Sequence, residues 1–227
     1  MGTGKFSFSG KKAARVKAKV LRAEDIGAGT PEGEAVKSHL LSGGLVVYPT
    51  DTLYGLGGIP DRLDVVERIY RMKVRERGKP LPLLAEAVDV ALSLFDGPPE
   101  AVKRIARSFW PGKVTVVGPS SRVPPLPGDR EKRTLGVRVP AHPVARLLAG
   151  FCGGSIVGTS ANLSGDSPLL DFQGVLEVFG DEDIILLDGG ILPPSRGSTV
   201  VSVEEGEIRL LREGDVPFRQ IEKIVRE

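Results

Sequence analysis

The sequence predicts an α/β domain, a twisted mixed β-sheet covered by helices, with a central ligand cleft. Short apolar stretches that read as strands alternate along the chain with amphipathic stretches of helical length. Near the carboxyl end, the stretches STVVSV and EIRLLR are separated by Glu205-Gly206, which predicts a hairpin and so a mixed sheet. Polar loops follow several strands, and in such sheets these loops gather in one crevice.

The elements follow from local signals taken in chain order. Thr30 and Pro31 predict the start of a first helix that ends at a glycine pair, and LVVYP predicts a buried strand. Asp61 is expected to cap the next helix, DRLDVVERIYRMK. The other predicted strands are LPLLA, KVTVVG, LGVRVP, SIVGT and DIILLD, and the other predicted helices are VDVALSLF, PEAVKRIARSF, HPVARLLAG, FQGVLEVFG and FRQIEKIVR. We expect a single layer of strands.

Composition narrows the class of protein. The length of 227 residues suits one large domain. The lone Cys152 excludes an internal disulfide, and two histidines give no familiar zinc spacing, so no protein metal site is predicted. No apolar run approaches the ~20 residues of a membrane span, and no signal peptide is evident. These features predict a cytoplasmic protein.

The charge is distributed unevenly. The net charge is +2, yet residues 1–22 contain Lys5, Lys11, Lys12, Arg15, Lys17, Lys19 and Arg22 and no acidic residue. We interpret residues 1–22 as a basic tail and residues 23–227 as the folded domain. The tail is suited to RNA phosphates, and the alternative is a solvated or vector-derived extension.

Two stretches suggest a small polar ligand. In VVYPTDTLYGLGG, residues 46–58, hydroxyl side chains stand beside flexible glycines directly after a strand. In TLGVRVP, Arg138 interrupts an apolar strand, and burying an unpaired charge is costly. Its partner is therefore either a protein carboxylate or a ligand carboxylate.

Three further stretches suggest phosphate contacts. In an extended segment, Lys73, Arg75, Arg77 and Lys79 would lie on one side, although a basic run after a helix is also typical of a solvated face. The loop IVGTSANLSG offers hydroxyls and an amide, and its alternative interpretation is a structural turn. The stretch SRGSTVVSV begins another strand with Ser195, Ser198 and Thr199.

Taken together, these motifs resemble the YrdC-like threonylcarbamoyl-AMP synthase family. The family pattern P-T-[DE]-T-x-Y-G-L-G matches residues 49–57, K-x-R matches Lys73-Val74-Arg75, and S-x-N matches Ser160-Ala161-Asn162. Further matches are W-P-G-x-x-T at 110–115, V-R-x-P at 137–140, S-T-V at 198–200 and L-R-x-G at 211–214. The matches keep their order from about Thr30 to Phe218.

The resemblance implies an enzyme, a nucleotidyltransferase with the YrdC-like fold. Members join L-threonine, bicarbonate or CO2, and ATP into threonylcarbamoyl-AMP and pyrophosphate, with Mg²⁺ as the expected cofactor. Other proteins then transfer the threonylcarbamoyl group to tRNA. By resemblance, the L-threonine site comprises Thr50, Arg138, Gly158 and Ser198, and the ATP site comprises Lys73, Arg75, Thr134, Ser160, Asn162 and Arg212. Lys73 and Arg75 are the expected catalytic residues.

The sequence departs from the family in places, and two other functions remain open. Glu76 stands where a proline usually follows K-x-R, and Gly197 stands where a proline or an acidic residue often precedes S-T. The second carboxy-terminal domain of longer members is not expected after Glu227. The alternatives are a carbamoyl-adenylate-forming domain and an RNA-binding or ribosome-associated module that uses the basic tail together with the basic stretch from Lys73 to Lys79.

Overall fold

The strands of the protein form two mixed sheets. The computed structural model describes residues 18–75, 80–122, 134–163, 165, 167–204 and 206–227. The strands are β1 (Lys19–Arg22), β2 (Val46–Tyr48), β3 (Gly55–Gly57), β4 (Leu83–Ala85), β5 (Val114–Pro119), β6 (Thr134–Arg138), β7 (Ser155–Val157), β8 (Thr159–Ser160), β9 (Ile185–Asp188), β10 (Thr199–Glu204) and β11 (Glu207–Arg212). One sheet has the order β1-β9-β2-β3-β8, and the other has the order β11-β10-β5-β6-β4-β7.

Seven α-helices of the described chain accompany these sheets. They are α1 (Pro31–Leu41), α2 (Leu63–Met72), α3 (Val88–Ser93), α4 (Glu100–Phe109), α5 (Pro143–Phe151), α6 (Phe172–Phe179) and α7 (Phe218–Arg226). Thr30 caps α1 as predicted, since its Oγ1 accepts from the backbone N–H of Gly33 at 3.0 Å. The predicted cap at Asp61 is wrong, because α2 begins one residue later, with Arg62 as its N-cap. Within the described residues, no helix is both long and apolar enough to cross a membrane.

The mixed α/β class is confirmed, whereas the single layer of strands is wrong. Both sheets combine parallel and antiparallel pairs, for example β5 with β10 and β5 with β6. The predicted hairpin is the antiparallel pair β10 and β11. The stretch SIVGT, predicted as one strand, contributes β7 to the larger sheet and β8 to the smaller one, with Gly158 between them. The chain therefore passes from one sheet to the other at Gly158.

Glycines in the opening motif allow the two sheets to approach. Gly55 and Gly57 belong to β3, which pairs with β2 and β8, so this part is a strand and not the flexible loop expected. A Cβ on Gly57 would lie 2.0 Å from the carbonyl oxygen of Val157 in β7 of the other sheet. Tyr48 in β2 also donates to that oxygen, at 3.1 Å. Only glycine fits at position 57, because any side chain would separate the sheets.

The amino-terminal boundary differs from the prediction. Lys19–Arg22 forms β1, which pairs in parallel with β9, so these four residues belong to the domain and not to a tail. Lys19, Val20 and Arg22 of this edge strand are exposed, which explains why it resembled a solvated basic segment. Residues 1–17 lie outside the described residues, and the proposed basic tail is confined to them.

Candidate active site

A cleft of about 510 Å³ opens where the two sheets meet. Gly55, Thr159 and Ser160 line it from the smaller sheet, and the remaining wall comes in equal parts from strands of the larger sheet and from loops. Its charged lining consists of Arg75, Arg138 and Arg212, and its serine and threonine lining consists of Thr50, Thr52, Thr115, Thr134, Thr159, Ser160 and Ser198. No aspartate or glutamate occurs among the described lining residues, so the cleft favours an anionic ligand.

The floor of the cleft follows from strand alternation in the larger sheet. In β6, Thr134, Gly136 and Arg138 line the cleft, while Leu135 and Val137 are buried in the hydrophobic core. The neighbouring strand β5 behaves in the same way, because Thr115 and Val117 line the cleft and Val116 lies in the core. One face of the sheet thus builds the core, and the other presents polar groups to a ligand.

The loop after β2 is shaped by the hydroxyl of Thr50. Its Oγ1 accepts from the backbone N–H groups of Thr52 and Leu53, each at 3.1 Å, and donates to the carbonyl oxygen of Leu53 at 2.6 Å. Such a side-chain turn fixes the local backbone. Thr50 lines the cleft as predicted, and in this structure its hydroxyl holds the loop.

Arg138 is buried and pairs with a protein carboxylate. Its Nε donates to the carbonyl oxygen of Gly112 at 2.9 Å. Its Nη1 donates to Thr52 Oγ1 at 3.0 Å, and its Nη2 donates to Asp51 Oδ1. Burial lowers the pKa of Arg138, and the Asp51 carboxylate opposes that shift. Three of the five guanidinium N–H groups thus have protein acceptors among the described residues, which leaves two for a ligand.

The carboxylate that pairs with Arg138 is itself incompletely satisfied. Asp51 Oδ2 is buried and has no hydrogen-bond partner among the described residues, and the same holds for His142 Nδ1. Burial lowers the pKa of His142, and the Asp51 charge opposes this. Of the two partners that the sequence left open for Arg138, the protein carboxylate is present as Asp51. The two remaining N–H groups of Arg138 can still bind a ligand carboxylate.

Ser198 lies at the junction of three segments. Its Oγ is 2.8 Å from Thr115 Oγ1 of β5 and accepts from Arg212 Nη2 at 3.2 Å. The same Nη2 donates to the Ser198 carbonyl oxygen at 2.9 Å. Arg212 also lies close enough to Arg138 for its charge to contribute to lowering the pKa of that guanidinium. A predicted ATP residue, Arg212, therefore adjoins the predicted threonine residues.

Lys73 lies behind the lining and holds the loop that contains the S-x-N motif. Its Nζ donates to the carbonyl oxygen of Ser160, to the carbonyl oxygen of Asn162 at 2.6 Å and to Asn162 Oδ1 at 3.3 Å. Ser160 Oγ donates to the same Oδ1 at 2.5 Å. Lys73 is only 2% exposed, and this desolvation, together with the nearby Arg75 charge, lowers its pKa to about 8. All three ammonium hydrogens thus have protein acceptors.

The backbone after Lys73 turns sharply. Val74 has a φ of 48°, which is unusual for a β-branched residue. The backbone N–H of Arg75 bonds to the carbonyl oxygen of Tyr70 at 3.0 Å, as in a helix-terminating Schellman turn. Lys73 and Arg75 consequently do not share one extended edge, so the predicted alternation is wrong for this pair. Arg77 and Lys79 lie outside the described residues.

Asp215 joins the loops beside Ser198. Its Oδ2 accepts from Lys113 Nζ and from Ser195 Oγ, each at 2.7 Å, and its Oδ1 accepts from the backbone N–H of Arg196 at 2.7 Å. Burial would raise the pKa of Asp215, but the hydrogen bonds from Lys113, Ser195 and Arg196 outweigh it and lower that pKa. The sequence prediction missed this residue, although it directly follows the L-R-x-G motif.

The structure brings the predicted site residues together. Those that line the cleft are Thr50, Arg75, Thr134, Arg138, Gly158, Ser160, Ser198 and Arg212. Lys73 and Asn162 stand behind Ser160 and are joined to it by hydrogen bonds. The sequence prediction named no role for Asp51, Thr52 or Thr115, although all three lie within matched motifs. No cluster of three or more His, Cys, Asp or Glu residues suited to a metal occurs within the described ranges.

Comparison with protein families identifies the chain. Residues 38–214 match the model of the Sua5/YciO/YrdC family, which carries the description "Telomere recombination". The chain belongs to this family. All of the described lining residues of the cleft, from Thr50 to Arg212, fall within the matched range.

Individual relatives agree with this membership. The chain is 35% identical over 185 residues to a threonylcarbamoyl-AMP synthase of Pyrococcus abyssi, covering 82% of this chain and 54% of that protein. It is 38% identical over 175 residues to the protein of that name in Thiobacillus denitrificans, covering 75% of this chain and 90% of the relative. The chain thus spans about half the length of the first relative and nearly all of the second.

Solved structures agree with the fold of the chain. The crystal structure of P. abyssi Sua5 complexed with L-threonine superposes with a TM-score of 0.80 at 31% identity, covering 92% of this chain and 61% of that one. Escherichia coli YciO superposes with a TM-score of 0.77 over 90% of this chain and 99% of its own, and at 23% identity it supports the fold alone.

Proposed function

We propose that the chain is an L-threonylcarbamoyladenylate synthase, a nucleotidyltransferase that converts L-threonine, bicarbonate and ATP into threonylcarbamoyl-AMP, pyrophosphate and water. The observation that carries this proposal is a single cleft that combines a buried arginine among hydroxyls, at Arg138, with two further arginines, Arg75 and Arg212. The first arrangement suits an amino-acid carboxylate, and the second suits phosphates. The names of the relatives agree with this combination.

Threonine binds, in this proposal, at the end of the cleft formed by Thr50, Arg138, Gly158 and Ser198. The two remaining guanidinium donors of Arg138 pair with the substrate carboxylate. Gly158 lets the main chain of the cleft wall pack against Leu84, since a Cβ there would lie 2.3 Å from Leu84 Cγ. The solved complex of P. abyssi Sua5 with L-threonine supports a threonine site in this fold.

ATP occupies the remainder of the cleft in this proposal. Arg75 and Arg212 offset phosphate charge, and Thr134 and Ser160 offer hydroxyls. Lys73 and Asn162 position Ser160 from behind, because their hydrogen bonds join these three residues. Since no described lining residue is a carboxylate, we propose that Mg²⁺ enters as part of the MgATP substrate, coordinated by phosphate oxygens.

The chemistry requires charge stabilisation and exclusion of water. Bicarbonate takes up a proton and loses water to give CO2. The neutral threonine amine then adds to CO2 and releases a proton, which gives a carbamate that is unstable in water. A carbamate oxygen then attacks the α-phosphate, the bond from that phosphorus to the bridging oxygen breaks, and pyrophosphate leaves. Arg212 suits this step because it contacts Ser198 of the threonine end while carrying a charge that stabilises the phosphate. A cleft enclosed by both sheets limits hydrolysis.

Pyrophosphate release tests this function. The purified protein is expected to release pyrophosphate from MgATP only when L-threonine and bicarbonate are both present. Mass spectrometry of the same mixture should show threonylcarbamoyl-AMP. Release that does not depend on threonine would contradict the proposal.

The wider setting belongs to the same proposal. The product would pass to proteins that transfer the threonylcarbamoyl group to tRNA, which places the chain in the cytoplasm, where ATP and tRNA occur. Neither alternative function gains a specific observation. Several of the basic residues proposed for RNA, those of residues 1–17 together with Arg77 and Lys79, lie outside the described residues. The structure of T. kodakarensis HypF is 21% identical and supports the fold alone.

A further inference from the structure

Gly136 occupies the middle of the cleft floor. On β6 it stands two residues from Thr134 and two residues from Arg138, and all three face the cleft. With a rise of about 3.3 Å per residue, Gly136 lies roughly 6.6 Å along the strand from each of them. It is therefore midway between the proposed nucleotide residue Thr134 and the proposed threonine residue Arg138.

The backbone does not explain why this position is a glycine. Gly136 is not among the glycines with positive φ, so an L-residue can adopt its conformation. A Cβ there would lie 3.3 Å from Pro82 Cβ and 3.6 Å from the Cγ2 atoms of Thr115 and Val117. These three neighbours all line the cleft. A side chain at position 136 would therefore project into the ligand space.

Other glycines of the site differ in this respect. A Cβ on Gly57 would strike backbone at 2.0 Å, and one on Gly158 would strike Leu84 at 2.3 Å, so those positions are closed by packing. A Cβ on Gly136 would meet its nearest neighbours close to ordinary van der Waals separation. The space next to it is the cleft itself, which Gly136 lines. The absent side chain at position 136 thus leaves room for a ligand.

We infer that Gly136 leaves room for the reacting centre, the point where the threonine carbamate meets the α-phosphate, and so determines whether both substrates can react in one cleft. The inference rests on the proposed function, which supplies the two ends of the cleft. The reaction forms a bond from a carbamate oxygen to the α-phosphorus and breaks the bond to the leaving pyrophosphate. Reacting atoms must approach within about 3.5 Å for this displacement, so a side chain between them obstructs it.

Two substitutions at position 136 test the inference, and a third provides a matched control. Gly136→Ala adds one methyl group, and Gly136→Val fills more of the floor. The control is Gly118→Ala in the adjacent strand β5, where a Cβ would meet Phe95 Cδ1 at 3.2 Å in the hydrophobic core and would not enter the cleft. The control thus has a comparably close contact on the opposite face of the same sheet.

The measurements are pyrophosphate release, and calorimetric titrations of L-threonine alone and of a non-hydrolysable ATP analogue alone. For Gly136→Val we expect the rate to fall by about 100-fold, the order that misplacement of reacting groups costs. The affinity for L-threonine should stay within about twofold of wild type, because free threonine keeps its anchors and lacks the carbamate group. The analogue should still bind, since Arg75 and Arg212 retain its outer phosphates. The rate of Gly136→Ala should lie between the rates of wild type and Gly136→Val, and Gly118→Ala should keep the wild-type rate.

The outcomes distinguish the inference from the function. If the wild-type protein releases no pyrophosphate, the proposed function fails and the inference fails with it. If wild type is active and Gly136→Val is equally active, only the inference is overturned. Loss of both separate affinities in Gly136→Val, or an equal loss of rate in Gly118→Ala, would also overturn it, since either result indicates damage to the sheet and not obstruction of the reacting centre.

Discussion

At the residue scale, Arg138 shows how one buried cation can serve both the fold and a ligand. Its pairing with Asp51 compensates the charge inside the protein, while its remaining donors stay available to the cleft. The sequence predicted a carboxylate partner but could not name it. Asp51 and Arg138 are distant along the chain, and their pairing depends on how β2 and β6 are placed relative to each other.

Substitution of Arg138 should weaken the binding of threonine and leave the binding of the nucleotide largely unchanged. Arg138→Lys keeps a positive charge but loses the planar fork that binds a carboxylate with two parallel hydrogen bonds. We expect the threonine dissociation constant to rise about 10-fold to 100-fold, the cost of one or two charge-assisted hydrogen bonds. Calorimetry with threonine and with an ATP analogue measures both affinities. If the substitution lowers only the affinity for the ATP analogue, the two ends of the cleft have been assigned in reverse.

Lys73 should give the protein a pH-dependent stability. Burial lowers its pKa to about 8 in the folded protein, from the ordinary lysine value of 10.5. Between these two values the unfolded chain holds a proton that the folded chain has released, so the free energy of unfolding rises with pH. Relative to Lys73→Met, the wild-type protein should gain on the order of 2 kcal/mol across this interval.

Urea unfolding at pH 7, 8, 9 and 10 of both proteins measures this difference. Subtraction of the Lys73→Met curve removes the contribution of other groups that titrate in the same range. A constant difference across the series would mean that Lys73 keeps an ordinary pKa and is not desolvated.

At the scale of elements, the segment after β11 controls the loop that contains Ser198. Besides the three hydrogen bonds accepted by Asp215, the backbone N–H of Gly214 donates to Thr199 Oγ1 at 2.9 Å. A Cβ on Gly214 would lie 2.2 Å from the carbonyl oxygen of Gly197. The two segments are therefore packed backbone to backbone, and this contact explains the glycine of the L-R-x-G motif.

Removal of the Asp215 carboxylate should loosen this arrangement. Asp215→Ala is expected to lower the free energy of unfolding by about 2 kcal/mol, because charge-assisted hydrogen bonds contribute about 1.5 to 3 kcal/mol. Asp215→Asn should lose less, since its amide oxygen can still accept one of the bonds. The lowered pKa means that the ionised carboxylate stabilises the protein above about pH 4, and that this contribution disappears as the pH falls through the folded-state pKa.

Chemical denaturation at pH 7 and pH 3 tests this prediction. The difference in stability between wild type and Asp215→Asn should be smaller at pH 3 than at pH 7, because the contribution of the ionised carboxylate declines below the pKa of the unfolded state. A difference that is the same at both values would indicate that the charge of Asp215 contributes nothing.

Local signals in the sequence predicted most elements, and the exceptions have physical causes. Strand β9 carries a continuous apolar run, β5 and β6 place apolar residues at alternating positions, and α4 has a clear helical period, so both kinds of element were found. β3 was missed because Gly55 and Gly57 lack strand propensity, and pairing on both sides stabilises it instead. The division into two sheets was missed because nothing local marks Gly158 as the crossing point.

At the scale of the whole molecule, the cleft forms where the two sheets meet, and glycines such as Gly57 permit their close approach. The site residues come from stretches far apart in sequence, and their shared family motifs predicted that they would meet. The contacts among them were not predictable, for example Thr115 with Ser198, because they depend on strand register and not on the motifs themselves.

The charge of the cleft should make nucleotide binding sensitive to salt. Three arginines line the cleft and no described lining residue is acidic, so an ATP analogue with several negative charges is attracted by charges that salt screens. Raising NaCl from 0.05 to 0.5 M should weaken the affinity for the analogue by about 10-fold, whereas the affinity for zwitterionic threonine should change by about twofold. Calorimetry at both salt concentrations measures this, and equal sensitivity of the two ligands would contradict a separation into two ends.

The most direct test of the central claim is a crystal structure of the protein with L-threonine and a non-hydrolysable ATP analogue bound together. We expect the threonine carboxylate on Arg138, phosphates near Arg75 and Arg212, and the α-phosphate above Gly136. A structure with the two ligands in separate pockets, or with threonine away from Arg138, would contradict it.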